Sequence, residues 1–306
     1  MMLRIGTRGS KLALVQSEWV KKEVQARHPG VRVELVKIKT KGDKIVDAPL
    51  SKVGGKGLFV KEIEEALLKK EVDLAVHSMK DVPAELQKGL ELSVCPKRED
   101  PRDAFVSTHF RSVDDLPQGA SIGTSSLRRS AQLLHLRPDL QFVPLRGNVD
   151  TRLRKLDNKE VQAIVLAAAG LRRLGLSERI TALFSPEVVL PAIGQGVLGL
   201  EVREKDQKTQ DLISFLNDPE TEMAARAERA FLKELEGGCQ VPLAGYARVE
   251  KDRIVLDGMV AELDGSVILR QQRSGGKDRP EEIGVALARQ LKAAGADRIL
   301  EKIYRR

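Results

Sequence analysis

The sequence predicts an α/β fold for the first two thirds of the chain and a smaller α+β unit for the rest. In the first two thirds, short β-like runs alternate with amphipathic helical patterns, which is typical of a mostly parallel sheet covered by helices. From about Asp218 a single long helical pattern precedes two or three alternating strands and a final helix. The length of 306 residues indicates two or three domains.

The first part of the chain is predicted to alternate strands and helices. Leu3–Gly6 is a short strand, and Ser10 is placed to cap a helix that continues to about Arg27, because a serine side chain accepts a free N–H of a first helical turn. The next elements are a strand at 31–39, a helix at 58–70 with Phe59, Ile63 and Leu67 on one face, a buried strand VDLAVHS at 72–78 and a loop MKDVP at 79–83.

A second set of strand–helix units begins after the charged, proline-containing stretch CPKREDPRD at 95–103. In three successive units SIG leads to the helix LRRSAQLLHL, QFVPL leads to VDTRLRKLDN, and VQAIVLAAAG leads to LRRLGL. A crossing segment rich in proline and glycine, LPAIGQG at 190–196, then precedes the strand-like LGLEV. In the last unit Asp264–Gly265 is a hairpin turn signal, and a helix begins near Pro280.

Composition and charge limit the class of protein. The formal net charge is +8, but the ten aromatic residues (one Trp, two Tyr, seven Phe) are scattered, whereas RNA and single-strand binding usually needs aromatic stacking surfaces. The basic residues recur at the ends of apolar segments, which favours small anionic ligands. No apolar run approaches the roughly 20 residues of a membrane span, and no secretory signal pattern is present. With only two cysteines as well, we expect a cytoplasmic protein.

Arginines follow several of the predicted strands. Arg128 and Arg129 fall in the first turn of a predicted helix, where the helix dipole disfavours cations. In open α/β sheets, ligands bind outside the carboxyl ends of the strands, where helix N-termini also direct N–H groups at anions. Other arginines at predicted strand–helix junctions are Arg8, Arg146, Arg152, Arg172 and Arg173, the last two opening a helix. Taken singly, each is better explained by a solvated basic surface, but the set predicts a pocket for a polycarboxylate or phosphate.

The loop HSMKDVP at 77–83 places Lys80 and Asp81 at the carboxyl end of a strand. Among so many cations Asp81 is expected to be ionised, since opposite charges favour the charged form. A carboxylate in an arginine-lined cleft would repel a phosphate, but it suits a reaction that passes through a cation. The alternative is a surface Lys–Asp pair in a turn.

Cys239 lies in a loop, LEGGCQVPLAGYA at 235–247, between two glycines and Gln-Val-Pro. Its context leaves open whether the thiol is chemically used or buried and inert.

Other motifs in the sequence say less about function. GQGVLG at 194–199 is followed by a strand rather than the helix of a dinucleotide site; GGKGLF at 54–59 is a basic loop in which Lys52 and Lys56 are available to a ligand. The four histidines have no metal-ligand spacing with either cysteine, which predicts no metal site, and His77 is expected to be hydrogen-bonded at a strand end.

Seven motifs in order resemble the porphobilinogen deaminase (hydroxymethylbilane synthase) family of the tetrapyrrole pathway. They are RIGTRGSKLAL, KVGGKGLFVKEIE, AVHSMKDVP, GTSSLRR, LRGNVDTRLRKLD, LPAIGQG and LEGGCQVPLAGYA. The resemblance runs from residue 3 into the last unit and becomes unspecific beyond about Gly265. One departure is Gly9, where relatives often carry Gln or Lys.

The resemblance implies three domains, the first two resembling type II periplasmic binding proteins with doubly wound mixed sheets. Domain 1 would comprise 1–96 and 197–217, domain 2 97–196 with hinge segments at 97–101 and 191–196, and domain 3 218–306 as a smaller α+β domain. The return of the chain to domain 1 follows from the resemblance alone, not from the pattern of strands and helices.

The resemblance also implies the chemistry. Four porphobilinogen molecules would be condensed, with loss of ammonia through an azafulvenium cation, onto a dipyrromethane cofactor joined by a thioether to Cys239, and water would release hydroxymethylbilane. Asp81 matches the catalytic aspartate, with an electrostatic role and proton transfer as a second option. The implied cofactor ligands are Ser10, Lys80, Asp81, Thr124, Ser125, Arg128, Arg129, Arg146 and Gly147; the implied substrate ligands are Arg8, Ser10, Arg146, Arg152 and Arg173; the implied active-site loop carries Lys52, Lys56 and Phe59. Cys95 matches no functional residue and is expected in the core.

The resemblance implies a monomer that takes porphobilinogen as its small-molecule substrate and passes its product to uroporphyrinogen III synthase, with no nucleic-acid or membrane partner. Two other functions remain open: a non-enzymatic, two-domain anion-binding module, which needs neither Cys239 nor Asp81, and a nucleic-acid-binding protein, which predicts strongly salt-dependent affinity.

Overall fold

The computed structural model describes residues 1–44, 57–237 and 241–305. Within these ranges the chain forms two five-stranded sheets and one three-stranded sheet. Both larger sheets mix parallel and antiparallel strands and pack against helices, so the predicted α/β class is confirmed. No helix in these ranges is long and apolar enough to cross a membrane.

The elements follow one another in three groups. The first group is β1 (Met2–Thr7), α1 (Lys11–Arg27), β2 (Arg32–Lys37), α2 (Lys41–Lys44), α3 (Lys61–Leu68), β3 (Leu74–Ser78) and β4 (Leu90–Val94). The second is β5 (Asp103–Val106), β6 (Ser121–Gly123), α4 (Leu127–Leu136), β7 (Gln141–Val143), α5 (Val149–Asp157), β8 (Ala163–Ala167), α6 (Ala168–Arg173) and β9 (Ala182–Leu183). The third is β10 (Leu198–Arg203), α7 (Gln207–Ile213), α8 (Pro219–Glu234), β11 (Leu243–Glu250), β12 (Arg253–Ala261), β13 (Ile268–Gly276), α9 (Pro280–Ala293) and α10 (Ala296–Tyr304).

The first sheet has the strand order β2-β1-β3-β10-β4. β1 runs parallel to β2 and β3, whereas β10 is antiparallel to its neighbours β3 and β4. β10 therefore joins a sheet whose other strands all come from before residue 95. Its Leu200 packs in one buried cluster with Leu3 and Ile5 of β1 and with Val20 and Val24 of α1. Burial of this cluster holds the late strand in the sheet.

The second sheet has the order β7-β6-β8-β5-β9. β6 runs parallel to β7 and β8, so the carboxyl ends of these three strands lie at one edge, where α4, α5 and α6 follow them. The close approach of Leu145 to β6 requires a glycine at 123, since a Cβ there would overlap the leucine side chain. The sheet edge that carries the arginine-containing turns is therefore tightly packed.

The third unit is a three-stranded antiparallel sheet, β11-β12-β13, against which α8 and α9 pack. α8 begins as its sequence dictates: the Asp218 side chain accepts a hydrogen bond from Thr221 N at 2.8 Å, and Pro219 occupies the first turn, where its missing N–H costs nothing. Phe231 of α8 is fully buried at the centre of this core. The unit is the α+β arrangement that the sequence predicts.

Several local predictions are confirmed. The Ser10 hydroxyl accepts a hydrogen bond from Ala13 N at 3.3 Å, the hairpin turn contains Gly265 at φ +71°, and α9 begins at Pro280. Two are wrong. α6 begins at Ala168, so Arg172 and Arg173 end that helix rather than open it, and the helix dipole favours them there.

The second error concerns the start of α3. Its first residue is Lys61, so Phe59 lies in the turn before the helix instead of on its buried face. Ile63 and Leu67 are buried as predicted. The segment MKDVP, predicted as a loop, contains a short 3₁₀ turn over Met79–Asp81.

Candidate active site

A cleft lies at the carboxyl ends of β1 and β3. β1 leads into the turn that carries Arg8 and Ser10, and β3 leads into the turn that carries Asp81. Because the two strands are parallel neighbours, these turns lie side by side. Arg8, Ser10, Asp81 and the ring of Phe59 all line the cleft. The structure thus brings together four residues that the sequence identifies as candidates.

Among the described residues, the Arg8 guanidinium contacts two side chains, those of Asp43 and Phe59. It forms an ion pair with Asp43, Nη2 to Oδ1 at 2.5 Å, and its Cζ lies 4.2 Å from the centroid of the Phe59 ring. The ring packs over Gly42, where a Cβ would overlap it. Burial acts to raise the pKa of Asp43, but hydrogen bonds and charge from Arg8 and hydrogen bonds from Thr40 hold that pKa below its usual value. A carboxylate of the protein is therefore already bound to Arg8.

The Asp81 turn is fixed by the segment that enters β10. Met79 N donates to Val197 O at 3.0 Å. Gly194 has φ +69° and approaches the turn so closely that a Cβ there would lie 2.6 Å from Met79 Cγ. A side chain at 194 would displace the turn, and the left-handed backbone disfavours one as well. The crossing segment therefore helps to set the position of Asp81.

Lys80 lies in a strongly charged neighbourhood. Its pKa is lowered to about 8, chiefly by burial and further by the positive charges of Arg129 and Arg128, whereas Asp81 and Asp103 act to raise it. A lysine with this pKa is only partly protonated just above neutral pH. An additional anion beside it would raise its pKa again.

Arg128 and Arg129 are buried and bind a fully buried carboxylate, Asp103. Arg128 Nη1 lies 2.7 Å from Asp103 Oδ2, and Arg129 Nη2 lies 2.7 Å from Oδ1. The guanidiniums also donate to Leu190 O at 2.7 Å and Val165 O at 2.9 Å. Burial acts to raise the pKa of Asp103, but the two arginines hold it well below its usual range. These arginines do lie in the first turn of α4, and a solvated basic surface does not describe them.

Arg152 and Arg173 have no carboxylate within ion-pair distance in the described part of the chain. Arg152 Nε donates to Gly147 O at 3.2 Å, and Arg173 Nη2 donates to Gly196 O at 2.8 Å. Burial lowers the pKa of each to about 10; for Arg152, the charges of Arg129 and Arg146 lower it further. Such positive charges gain by binding an anion.

Thr124, Ser125 and Gly147 border the arginine cluster. Thr124 is buried, and its hydroxyl accepts a hydrogen bond from Ser126 N at 3.2 Å. The exposed Ser125 donates its hydroxyl to Leu145 O at 2.7 Å, and Gly147 has φ +95° in the turn before α5. These residues place the loops around the arginines, with backbone that favours glycine at 147.

The remaining candidates separate into two groups. Cys95 is buried just after β4, as expected, and burial raises the pKa of its thiol to about 12. His77 Nε2 lies 2.8 Å from Glu201 Oε2 in the core, so the prediction of a hydrogen-bonded strand-end histidine is confirmed. Lys52, Lys56 and Cys239 lie outside the described residues.

The sequence did not identify Asp43 or Asp103 as members of the site. Asp43 lies in the stretch KGDK, which matches none of the seven motifs, and its partner Arg8 is 35 residues away in the sequence. Asp103 ends the charged stretch CPKREDPRD and lies two residues beyond the hinge segment 97–101 that the resemblance implies. A carboxylate opening an otherwise apolar strand, DAFV, is the signal that could have indicated a buried ion pair.

Comparison with known proteins identifies the family. The family model "Porphobilinogen deaminase, dipyromethane cofactor binding domain" matches residues 3–211, and "Porphobilinogen deaminase, C-terminal domain" matches residues 223–293. This chain belongs to the porphobilinogen deaminase family. Porphobilinogen deaminase of Syntrophotalea carbinolica is 59% identical over 97% of this chain and 95% of that protein. The protein of the same name from Geobacter metallireducens is 56% identical over 99% of this chain and 95% of its own length.

Among solved structures, a periplasmic substrate-binding protein of an ABC transporter from Coxiella burnetii is similar over 71% of this chain and 93% of its own, at 17% identity and a TM-score of 0.46. The methionine-binding protein MetQ is similar over 70% of this chain and 87% of its own, at 18% identity and a TM-score of 0.44.

The described residues fit the dipyrromethane cofactor of this family. A dipyrromethane assembled from porphobilinogen carries carboxylate side chains. Lys80 has a lowered pKa and, in the described ranges, no ion-pair partner, so it suits such a ligand; Arg152 and Arg173 share both features and suit the carboxylates of the substrate units. Arginine in particular matches carboxylate geometry through paired hydrogen bonds.

Proposed function

We propose that this protein is a transferase with hydroxymethylbilane synthase activity. It condenses four porphobilinogen molecules stepwise, with loss of ammonia, onto a covalent dipyrromethane primer and releases the linear tetrapyrrole hydroxymethylbilane by hydrolysis. The observation that carries this conclusion is the family match over 3–211 and 223–293. The site supports it independently, because Lys80 and Arg152 interact with the charge of Asp81 and, within the described ranges, have no carboxylate in ion-pair distance, as a polycarboxylate substrate that reacts through a cation requires.

Asp81 is the catalytic residue of this proposal. Its carboxylate accepts hydrogen bonds from pyrrole N–H groups and stabilises the positive charge that develops as ammonia leaves. It can do so without reorganisation, because the turn at Met79–Asp81 is held in place by β10 and the crossing segment. Asp81→Ala is expected to keep the cofactor mass and lose turnover. Normal turnover in that variant would remove Asp81 from the mechanism.

The other site residues bind carboxylates or support the loops that do. The dipyrromethane, attached through a thioether at Cys239, supplies the primer to which substrate units are joined. The proposed cofactor ligands are Ser10, Lys80, Asp81, Thr124, Ser125, Arg128, Arg129, Arg146 and Gly147, and the proposed substrate ligands are Arg8, Ser10, Arg146, Arg152 and Arg173. Arg8 exchanges its Asp43 partner for a substrate carboxylate, and the Phe59 ring covers its guanidinium. The proposed active-site loop is Lys52, Lys56 and Phe59.

The wider assignments belong to the same proposal. The division into domain 1 (1–96 and 197–217), domain 2 (97–196) and domain 3 (218–306) is supported by the place of β10 in the first sheet. A cytoplasmic location is supported by the presence of only two cysteines. We also propose that the protein acts as a monomer and passes its product to uroporphyrinogen III synthase.

The deciding experiment is an intact-mass measurement on the freshly purified protein and two alanine variants. The wild type should exceed its sequence mass by one dipyrromethane, and Cys239→Ala should lose that excess together with turnover. Cys95→Ala is the matched control, because its buried thiol has a pKa of about 12 and stays protonated. It should keep the added mass.

Two results would contradict the proposal. A wild type that turns over porphobilinogen at full rate with no added mass would exclude the covalent primer. A wild type that binds polycarboxylates but consumes no porphobilinogen would instead favour an anion-binding module.

A further inference from the structure

One face of α8 packs against the segment that carries Asp81. Ala225 lies in a buried cluster with Met79, Arg229 donates to backbone carbonyls of the segment, and Lys233 pairs with Glu85, Nζ to Oε1 at 3.0 Å. These three α8 residues are spaced at i, i+4 and i+8, so they follow one another along a single face of the helix. The contact therefore spans the whole segment from the start of the Asp81 turn to its exit.

Arg229 makes the central contact of this face. Its Nη2 donates to Pro83 O at 2.9 Å and to Ala84 O at 3.1 Å, and its Nη1 lies 3.8 Å from Met79 Sδ. The guanidinium thus contacts residues on both sides of Asp81. Hydrogen bonds from a charged donor are stronger than those between neutral groups, which suits them to fixing backbone.

The charge of Arg229 is not explained by an ion pair. In the part of the chain that the structure describes, no carboxylate lies within ion-pair distance of it, and burial lowers its pKa. Burying an arginine that has no carboxylate partner costs free energy, and hydrogen bonds to its guanidinium reduce that cost. Here the backbone of the Asp81 segment receives those bonds.

α8 also leads towards the cysteine. It ends at Glu234, five residues before Cys239 in the sequence. The helix that packs against the Asp81 segment is therefore followed directly, in the sequence, by the stretch that contains the proposed attachment cysteine.

We propose that Arg229 is a positioning residue: its guanidinium fixes the Asp81 turn relative to α8. The inference rests on the proposed function. A misplacement of about 1 Å at a reacting centre can cost about a hundredfold in rate. Arg229 does not line the cleft, so its loss should not displace the carboxylate-binding residues. We therefore expect a lower kcat and an unchanged KM.

The test compares Arg229→Gln with Arg226→Gln. Arg226 lies on the same helix, but it is exposed and pairs with Glu281 of α9 at 2.6 Å, so it controls for loss of an α8 arginine. We expect Arg229→Gln to carry the primer mass, to show a KM within about twofold of wild type and to lose at least about tenfold in kcat. Arg229→Lys should restore part of the loss, and Arg226→Gln should match the wild type.

A double-mutant cycle separates positioning from general stability. If Arg229 acts through Asp81, Arg229→Gln should cost much less in an Asp81→Glu background, where the carboxylate is already displaced. Equal losses in both backgrounds, or a holo Arg229→Gln variant with kcat within twofold of wild type, would overturn the proposal. Should Arg229→Gln fail to fold, Arg229→Lys enters the same cycle with the same criteria. Wild-type turnover is measured first, because its absence refutes the proposed function itself rather than the role of Arg229.

Discussion

Asp103→Asn should destabilise the second sheet strongly although it changes a single atom. Asp103 is fully buried between Arg128 and Arg129 and also accepts a hydrogen bond from Gln195 Nε2 at 3.0 Å. Removing one partner of a buried ion pair costs about 3–5 kcal/mol, because the remaining charge stays buried without compensation. Since the asparagine keeps the shape and one acceptor oxygen, we expect about 3 kcal/mol. With an m-value of about 2 kcal/mol/M, the urea midpoint should fall by about 1.5 M.

The pH dependence gives the same prediction an independent check. The pKa of Asp103 is lower in the folded protein than in the unfolded chain. The ionised carboxylate therefore contributes to the free energy of unfolding above the unfolded-state pKa of about 3.9, and this contribution is lost as the pH falls from there towards the folded-state pKa. The difference in urea midpoint between the variant and the wild type should therefore be constant from about pH 5 to 8 and should become smaller below about pH 4.

Urea unfolding followed by circular dichroism measures both effects. The matched control is Asp157→Asn, which removes the carboxylate of an exposed ion pair with Arg179, at 2.6 Å, and should leave the midpoint unchanged within error. An unchanged midpoint in Asp103→Asn, or a difference in midpoint that disappears at neutral pH, would refute the reasoning that this buried carboxylate compensates the charges of the two arginines.

Three further predictions concern the cleft and the packing of the third unit. Because the pKa of Lys80 is about 8 without a bound anion, a polycarboxylate should bind the Cys239→Ala protein, which carries no cofactor, more weakly as the pH rises through that value, and Lys80→Arg should move the weakening to higher pH in a binding titration. Asp43→Asn removes the carboxylate that competes for Arg8 and should lower KM about two- to fivefold; an unchanged KM would mean that the pair does not compete with substrate. Gly284→Ala should cost about 1–3 kcal/mol in urea unfolding, because a Cβ there would overlap the backbone of Ala227; wild-type stability would show that the two helices can separate.

The features that the sequence predicts best are those that depend on residues close to one another in the chain. The Ser10 cap, the Gly265 turn and the start of α9 at Pro280 depend on one or two side chains and are confirmed. α6 was misplaced because VLAAAG was interpreted as a continuous apolar strand. Alanine has the highest helix propensity, so the helix begins at Ala168 and carries the following arginines to its last turn.

The part of the site that the sequence missed depends on distant contacts. Asp103 meets Arg128 across 25 residues, and Asp43 meets Arg8 across 35. The strand DAFV indicates that Asp103 needs a partner, but no local pattern identifies the partner in either pair, since it depends on which parts of the chain become neighbours in the fold. The motifs of the family identify the arginines, whereas the acids that neutralise some of them become visible only in the fold.

The cations of the site are of two kinds: some are paired with an acid of the protein, and others, within the described ranges, are not. Asp103 neutralises one of the two charges of Arg128 and Arg129, so this buried cluster keeps a net positive charge. Arg152 and Lys80 lie near it and, within the described ranges, have no acidic partner in ion-pair distance; burial and the charges of neighbouring arginines lower their pKa values. A single carboxylate could not neutralise so many cations, whereas a ligand with several carboxylates could bind them together. The charge pattern therefore favours a polycarboxylate that extends from the second sheet towards Asp81, and the buried acid decides which arginines remain free to bind it.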